Sequence, residues 1–235
     1  MQLTSAHWLG LDPSHLQSLP DSGHRLMPGT ATAFLAMQQA ARADGIELAI
    51  ASSYRDFARQ LQIWNDKFTG VRPLLDAQCQ PLAVARLSEE QRVAAILRWS
   101  ALPGTSRHHW GSDLDIYSPA LLPTGHPLHL EPWEYGCEGY FAPLTAWLDA
   151  HMAEFGFYRP FTEHSQTQGG VAAEPWHLSF QPDAALMAQE LEFQALYHCL
   201  SHSNLAGQSC ILAQLPTLWQ RFVLAPLAPA NKVSL

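Results

Sequence analysis

Two short stretches of the chain contain residue types that bind metals and transfer protons. The first, SRHHWGSDLDIY at residues 106–117, holds two adjacent histidines and two aspartates, and the second, EPWH at 174–177, places Glu174 three residues before His177. A catalytic zinc site typically uses three His or carboxylate ligands, with a further carboxylate near the bound water. The two stretches therefore predict a hydrolytic metal centre. The alternatives are a polar turn entering a strand and a surface Glu followed by a packed Trp-His pair.

A third stretch, SSYR at 52–55, places an arginine at the end of a predicted strand. A fixed guanidinium at such a position stabilises an oxyanion or binds a substrate carboxylate. Arginine more often forms an ordinary salt bridge, so Arg55 indicates a functional role only in combination with the two other stretches. The chemistry of the residues leaves open whether His108 or His109 is a ligand.

Helix and strand patterns surround these stretches. Apolar periodicity and capping signals predict the following elements: a helix at 30–44 ended by Gly45, a strand at 46–51, an amphipathic helix from Phe57 to Phe68, a helix opened by a Ser88–Gln91 capping box, a strand at 114–117, an irregular segment at 118–138, a helix at 140–155, a short strand at 175–180, and helices over 183–223, the first capped by Asp183.

Few βαβ units occur in this order, which favours an α+β fold with an antiparallel sheet carrying the site residues and helices outside it. Gly111 is expected to let the chain turn so that the histidine pair lies over Asp115. Residues 1–182 are predicted to form the domain that carries the site. Residues 183–235 are predicted to be a helical appendage packed on it.

Composition narrows the class of protein. Of the 235 residues, 47% are apolar and 14% are charged, which indicates a globular chain. The net charge is −8 and there is no Lys/Arg run, which argues against nucleic acid or an anionic membrane as a partner. The first residues lack the basic and apolar regions of a secretory signal, and no apolar run is long enough to span a bilayer, so a cytoplasmic location is expected.

Three motifs together carry a resemblance to a known family. SSYRDFARQ (52–60), PGTSRHHWGSDLDI (103–116) and EPWH (174–177), in this order and at these separations, resemble the VanY-type D-alanyl-D-alanine carboxypeptidases. Members of that family are zinc peptidases that act on peptidoglycan stem peptides and share a fold with the hedgehog signalling domain. The family motifs are S-x-Y-R-x-x-x-x-Q, S-x-H-x-x-G-x-A-x-D and E-x-W-H, and the resemblance covers roughly residues 25–182.

The resemblance implies a role for each matching residue. It makes His108, Asp115 and His177 the ligands of one zinc ion, with Glu174 as catalytic base and Arg55 as stabiliser of the oxyanion. It implies further contacts at the substrate, namely Ser106 and Gln60, with Trp176 lining the site.

One position departs from the family pattern, because Asp113 stands where the family has alanine. Residues 113 and 115 share a strand face, so Asp113 is expected near the metal, where it either holds a neighbouring histidine or binds substrate.

The implied activity is removal of a terminal D-Ala from stem peptides. We expect an L,D-carboxypeptidase acting on tetrapeptides in murein recycling. The alternatives are a D,D-carboxypeptidase acting on D-Ala-D-Ala pentapeptides and an L-Ala-D-Glu endopeptidase. A zinc-stabilised binding module is the alternative from another class, and the presence of Glu174 and Arg55 argues against it.

Overall fold

A four-stranded antiparallel sheet lies at the centre of the computed structural model, which describes residues 2–20, 22–163 and 170–227. The strands are β1 (Gln17–Ser18), β2 (Arg25–Leu26), β3 (Ala49–Ser52), β4 (Leu74–Leu75), β5 (Pro81–Leu82), β6 (Asp113–Tyr117), β7 (Phe157–Tyr158) and β8 (His177–Phe180). The central sheet has the order β3-β6-β8-β7, while β1-β2 and β4-β5 are separate two-stranded ribbons.

Helices surround the sheet and confirm most of the predicted elements. They are α1 (Ser5–Trp8), α2 (Pro28–Ala43), α3 (Phe57–Thr69), α4 (Glu89–Trp99), α5 (Pro132–Tyr135), α6 (Ala142–His151), α7 (Gln181–Gln189), α8 (Phe193–Ser201) and α9 (Gln208–Leu218). The Ser88–Gln91 capping box opens α4 as predicted. The predicted helix 140–155 is split, because α6 ends at His151 and a 3-10 turn continues to Phe155.

The register of the central sheet brings the two metal-binding stretches together. β6 and β8 pair so that Asp115 lies opposite His177 and Asp113 lies opposite Ser179. On its other edge β6 pairs with β3, where the register shifts between Ile50 and Ser52. Just before β6, Gly111 has a φ of 74°, and a Cβ there would lie 2.2 Å from Leu16 Cδ2. Only glycine fits this turn, which returns His108 over Asp115 as expected.

Two apolar clusters form the core. One lies between the sheet and the helices α2 and α6, with Phe34, Leu114 and Leu148 among its members. The other joins N-terminal residues to the C-terminal helices, since Trp8 and Trp64 pack in the same cluster as Leu215. The helices that follow β8 therefore share buried surface with the first hundred residues.

Asp183 does not cap its own helix, contrary to the prediction. α7 begins at Gln181 with Phe180 in the N-cap position. The Asp183 carboxylate instead accepts hydrogen bonds from Thr30 N (2.7 Å) and Thr30 Oγ1 (2.8 Å), in the first turn of α2. The free N–H groups and the positive dipole end of α2 attract this carboxylate across the fold. Asp183 thus caps α2 through Thr30, which lies 153 residues earlier along the chain.

The predicted last helix also differs. α9 ends at Leu218, and a π-helical turn follows from Trp219 to Leu224. Among the described residues, no helix is both long enough and apolar enough to cross a membrane.

Candidate active site

Two histidines and one aspartate converge at the junction of β6 and β8. His108 Nε2 lies 3.2 Å from Asp115 Oδ2, and His177 Nδ1 lies 3.1 Å from Asp115 Oδ1. One ligand atom from each of these three buried residues lies within 4.8 Å of the other two. The set has the composition of a catalytic zinc site with a position open for water.

Each imidazole is oriented by the contact that its other ring nitrogen, the one facing away from Asp115, makes with a neighbouring residue. His108 Nδ1 lies 2.9 Å from the Ser53 carbonyl oxygen, which only accepts, so Nδ1 carries the proton and Nε2 presents its lone pair. His177 Nε2 lies 3.0 Å from Asp113 Oδ1, which turns Nδ1 towards Asp115. Hydrogen bonds of this kind orient metal-binding histidines.

The surroundings of Asp115 fit a bound cation. Within the described part of the chain its buried Oδ1 has no hydrogen-bond partner, although the carboxylate faces both imidazoles. Burial alone would lower the pKa of His177, but its contacts with Asp113 and Asp115 outweigh burial and raise that pKa to about 10. The two buried carboxylates of Asp113 and Asp115 are therefore stabilised by positive charge between the imidazoles, which zinc held by the three residues would provide.

Asp113 lies beneath the centre and does not face the cavity. It is fully buried; Oδ1 accepts from Arg107 Nε (2.7 Å), and Oδ2 accepts from Ser112 Oγ (2.5 Å) and Ser179 Oγ (3.1 Å). Burial would raise its pKa, but the Arg107 charge and the bond with His177 hold it at about 2. Both oxygens are occupied in this structure, so a contact between Asp113 and substrate stays a prediction that the geometry does not support. Its other expected role, holding a histidine, matches the contact with His177.

Replacing Asp113 by asparagine is expected to weaken both the fold and the metal site. The change leaves the buried Arg107 guanidinium without its carboxylate, which costs about 3–5 kcal/mol in the free energy of unfolding. Loss of the anionic partner of His177 should also weaken zinc binding about 10- to 100-fold. Chemical denaturation and a competitive zinc titration measure the two effects. Asp149→Asn is the matched control: it removes an exposed ion pair with Arg159 and should cost less than about 1 kcal/mol. Equal effects of the two variants would contradict the assignment.

His109, the second histidine of the pair, points away from the centre. It is fully buried; Nδ1 lies 2.6 Å from the Arg55 carbonyl oxygen, and Nε2 accepts from Gly104 N (3.1 Å). Burial lowers its pKa to about 3, so it is neutral. Because both nitrogens are occupied by backbone groups, His109 ties together the loops that precede α3 and β6. His108 is left as the member of the pair that faces Asp115.

Glu174 stands beside the metal-binding trio without joining it. Its Oε2 lies 3.5 Å from His177 Nδ1, and the side chain is 12% exposed. A tight turn holds the two residues, since His177 N donates to the Glu174 carbonyl oxygen (3.1 Å). Burial raises the pKa of Glu174 to about 7; the charge of Asp115 raises it further, while His177 and Arg55 oppose the shift. A carboxyl with such a pKa is suited to exchange protons at neutral pH.

Arg55 reaches the same cavity from the end of β3. Nη1 donates to Gln60 Oε1 (2.8 Å) and Nη2 to Ser52 Oγ (3.3 Å), which fixes the guanidinium. Gln60 is fully buried, and its Nε2 donates to the Ala101 carbonyl oxygen (2.7 Å). Both ends of its amide are occupied in this structure, and the contact with substrate that the resemblance implies for Gln60 stays a prediction. Gln60 positions Arg55.

A cavity of about 390 Å³ opens in front of the trio. Ser106 and Trp176 line it, as does the expected base Glu174. Ser106 is 2% exposed, and its hydroxyl makes no hydrogen bond to the residues that the structure describes. Trp176 is held from behind by Tyr135, with the ring centroids 5.6 Å apart.

The sequence patterns did not point to Lys67, which lines the same cavity together with Arg72. Its Nζ donates to Ser100 Oγ (2.6 Å), and it forms no ion pair within the described ranges. Burial lowers its pKa to about 8, with the charge of Glu174 opposing the shift. The spacing carried a signal, because Lys67 lies seven residues after Gln60 and thus on the same face of α3.

Comparison with known proteins gives the family. The sequence model of VanY, described as D-alanyl-D-alanine carboxypeptidase, matches residues 23–183, well over half of the chain. The chain belongs to the VanY family. This confirms the resemblance and its extent. Two helices of this VanY protein, α8 and α9, lie beyond the matched residues.

Relatives of this VanY protein occur in two bacteria. A D-alanyl-D-alanine carboxypeptidase of Enterococcus faecalis is 30% identical over 141 residues, which are 60% of this chain and 42% of that protein. A protein of Haemophilus influenzae described as uncharacterized is 37% identical over 122 residues, covering 52% of this chain and 92% of that protein.

Solved structures confirm the predicted α+β fold. VanYB in complex with D-alanine-D-alanine has a TM-score of 0.53 at 24% identity, covering 80% of this chain and 89% of VanYB. A mutant of the vancomycin-resistance D,D-pentapeptidase VanY in complex with Zn(II) has a TM-score of 0.51 at 25% identity, covering 77% and 88%.

Proposed function

We propose that this VanY protein is a zinc-dependent carboxypeptidase that releases a terminal D-Ala from peptidoglycan stem peptides. The observation that carries the proposal is the convergence of one nitrogen from each of two imidazoles on the Asp115 carboxylate, next to a carboxyl that is not part of the trio. His108, Asp115 and His177 would hold the metal. The Zn(II) complex of a related VanY supports this choice of ion.

The proposed chemistry assigns each residue one task. When bound, zinc supplies a Lewis acid and an activated water at neutral pH. Glu174 takes a proton from the attacking water and passes it to the leaving amine. Arg55 donates hydrogen bonds to the oxygen on which negative charge develops. Gln60 and Ser52 hold the guanidinium in place for that contact.

A free carboxylate on the substrate is favoured by the charges around the cavity. The whole chain has a net charge of −8, yet Arg55, Lys67 and Arg72 all line this cavity. Ser106 adds a hydroxyl that is available to a ligand. Such local donors recognise carboxylates by direct hydrogen bonds. We therefore propose that the protein is an exopeptidase. The endopeptidase and the non-catalytic binding module are the alternatives.

We further propose that the tetrapeptide is the preferred substrate, as in an L,D-carboxypeptidase of murein recycling. In a tetrapeptide, the residue before the scissile bond is meso-diaminopimelate or lysine, and diaminopimelate carries a second carboxylate. Lys67 lines the cavity without a carboxylate partner in the described structure, which favours such a residue over the D-Ala found there in a pentapeptide. A D,D-carboxypeptidase is the alternative.

A panel of stem peptides tests the substrate. We expect zinc-dependent release of D-Ala from a diaminopimelate tetrapeptide, weaker release from the pentapeptide, and little from the C-terminally amidated tetrapeptide. Removing the ammonium by Lys67→Gln should lower kcat/KM for the diaminopimelate peptide about tenfold, the value of a hydrogen bond to a charged group. The same change should leave a lysine-containing tetrapeptide nearly unaffected. Arg59→Gln, on the same helix but exposed, is the matched control and should change neither.

Three results would contradict parts of this proposal. Equal cleavage of free and amidated peptides would make the protein an endopeptidase. A preference for the pentapeptide would make it a D,D-enzyme. Binding of a peptide without cleavage at any zinc concentration would make it a binding module.

A further inference from the structure

The C-terminal segment of the chain, defined here as residues 219–227, reaches back to the active-site cavity. Three of its side chains, Phe222, Val223 and Pro226, line that cavity together with Glu174 and Ser106. The segment lies well outside residues 23–183, which match the family. One wall of the cavity is therefore built by a part of this chain that the family pattern does not include.

The backbone of the C-terminal segment is unusual at this point. α9 contains Pro216 in its last turn, and residues 219–224 then form a π-helical turn. π-Turns are rare, and the extra residue in each turn redirects the side chains that follow. Trp219 anchors the turn against Trp8 and Phe193, with ring centroids 6.2 and 5.8 Å away. The wall is thus held from behind by the core.

The C-terminal segment meets the cavity near Ser106. A second, smaller cavity is enclosed by Phe222 and Val223 together with Leu102 and Thr105. Thr105 immediately precedes Ser106, whose hydroxyl is free for a ligand. Phe222 is half-buried and Val223 is buried, so the surface offered beside Ser106 is apolar and fixed.

We propose that the C-terminal segment closes the cavity beyond Ser106 and limits the departing residue to a single small one, with Phe222 as the specificity-determining side chain. This rests on the proposed function, because it assumes that the departing residue lies at the Ser106 end. The ligand class is a peptide with a small apolar C-terminal residue.

The physical reason is that the three side chains of the segment that line the cavity, Phe222, Val223 and Pro226, carry no hydrogen-bonding groups. A methyl group packs favourably against Phe222 and Val223. A chain that continued past this point would bury its peptide N–H and C=O groups against apolar side chains, where each unpaired group is strongly unfavourable. A larger C-terminal side chain would collide with a wall that the core holds in place.

A size-selectivity experiment tests this inference. The kcat/KM for a tetrapeptide ending in D-Ala is compared with that for one ending in D-Leu, in the full-length zinc-loaded protein. Wild type should favour D-Ala by at least tenfold, because even one methylene changes discrimination by 10-fold or more. Phe222→Ala should shift the ratio at least tenfold towards D-Leu. Leu224→Ala, half-buried in the same turn but outside the cavity, should leave it unchanged.

The outcomes separate this inference from the proposed function. Turnover of D-Ala peptides with an unshifted ratio in Phe222→Ala would overturn the inference alone. Equal use of both peptides by wild type would also overturn it. Absence of any D-Ala release by wild type would instead overturn the proposed function. If circular dichroism shows that Phe222→Ala is not folded, the milder variant Phe222→Leu is tested in its place. A smaller shift of the selectivity ratio towards D-Leu is then expected.

Discussion

Replacing Glu174 by glutamine is expected to abolish nearly all turnover while one zinc per chain stays bound. Glutamine keeps the size of the side chain but cannot accept a proton, and general base catalysis is worth about 100- to 10,000-fold in rate. Glu174 lies beside His177 and outside the trio of metal-binding residues, so occupancy should not change. Release of D-Ala from a tetrapeptide and elemental analysis of the same sample measure the two effects.

The control for this variant is Glu154→Gln, an exposed glutamate that pairs with His151. It should keep both turnover and zinc. Wild-type turnover in Glu174→Gln would remove this residue from the mechanism. Loss of zinc together with activity would make it a fourth ligand.

Removing either of the two histidines proposed as zinc ligands is expected to have the largest effect on metal content. His108→Ala and His177→Ala each leave two of three ligands, so the purified proteins should carry less than stoichiometric zinc and release D-Ala only at background rate. Each variant also removes a partner from a buried acceptor. His108→Ala removes the partner of the Ser53 carbonyl oxygen, and His177→Ala removes one partner of the Asp113 carboxylate. Inductively coupled plasma analysis after dialysis measures the zinc.

His202→Ala provides the matched control, because that exposed imidazole caps the C-terminal end of α8 and its Nδ1 contacts only the last turn of that helix. It should retain full zinc and activity. Full occupancy in both ligand variants would show that the metal is held elsewhere, and the assignment of the trio would be wrong.

Much of the active site could be predicted because its chemistry is local in sequence. The stretch at 106–117 contains two of the proposed ligands, and the stretch at 174–177 contains the third beside the proposed base; alternation along β6 places Asp113 and Asp115 on one face. The choice of His108 over His109 came from the family resemblance alone. The structure supplies the physical reason, since backbone groups from two loops occupy both nitrogens of His109.

The features that the sequence did not predict share one cause: the partner residue lies far away along the chain or in a loop whose path the sequence does not indicate. Asp183 was placed on its own helix, whereas its hydrogen bonds reach Thr30, 153 residues away. The resemblance implies a substrate contact for Gln60, and the pattern of residues does not predict that its amide also bonds Arg55 and the Ala101 carbonyl oxygen. The sequence did not predict a functional role for Phe222, because an apolar residue in a helical pattern is usually interpreted as part of the hydrophobic core and not as the wall of a cavity.

The pairing of Asp115 with His177 across β6 and β8 also makes the site a cross-link. A cation bound to both residues closes a loop of about sixty residues, which contains α5 and α6. By the relation used for disulfides, a closure of this length removes chain entropy from the unfolded ensemble worth about 4 kcal/mol. Chelation should therefore lower the melting temperature as well as the activity. The same ion would act as catalyst and as a staple between the two halves of the sheet.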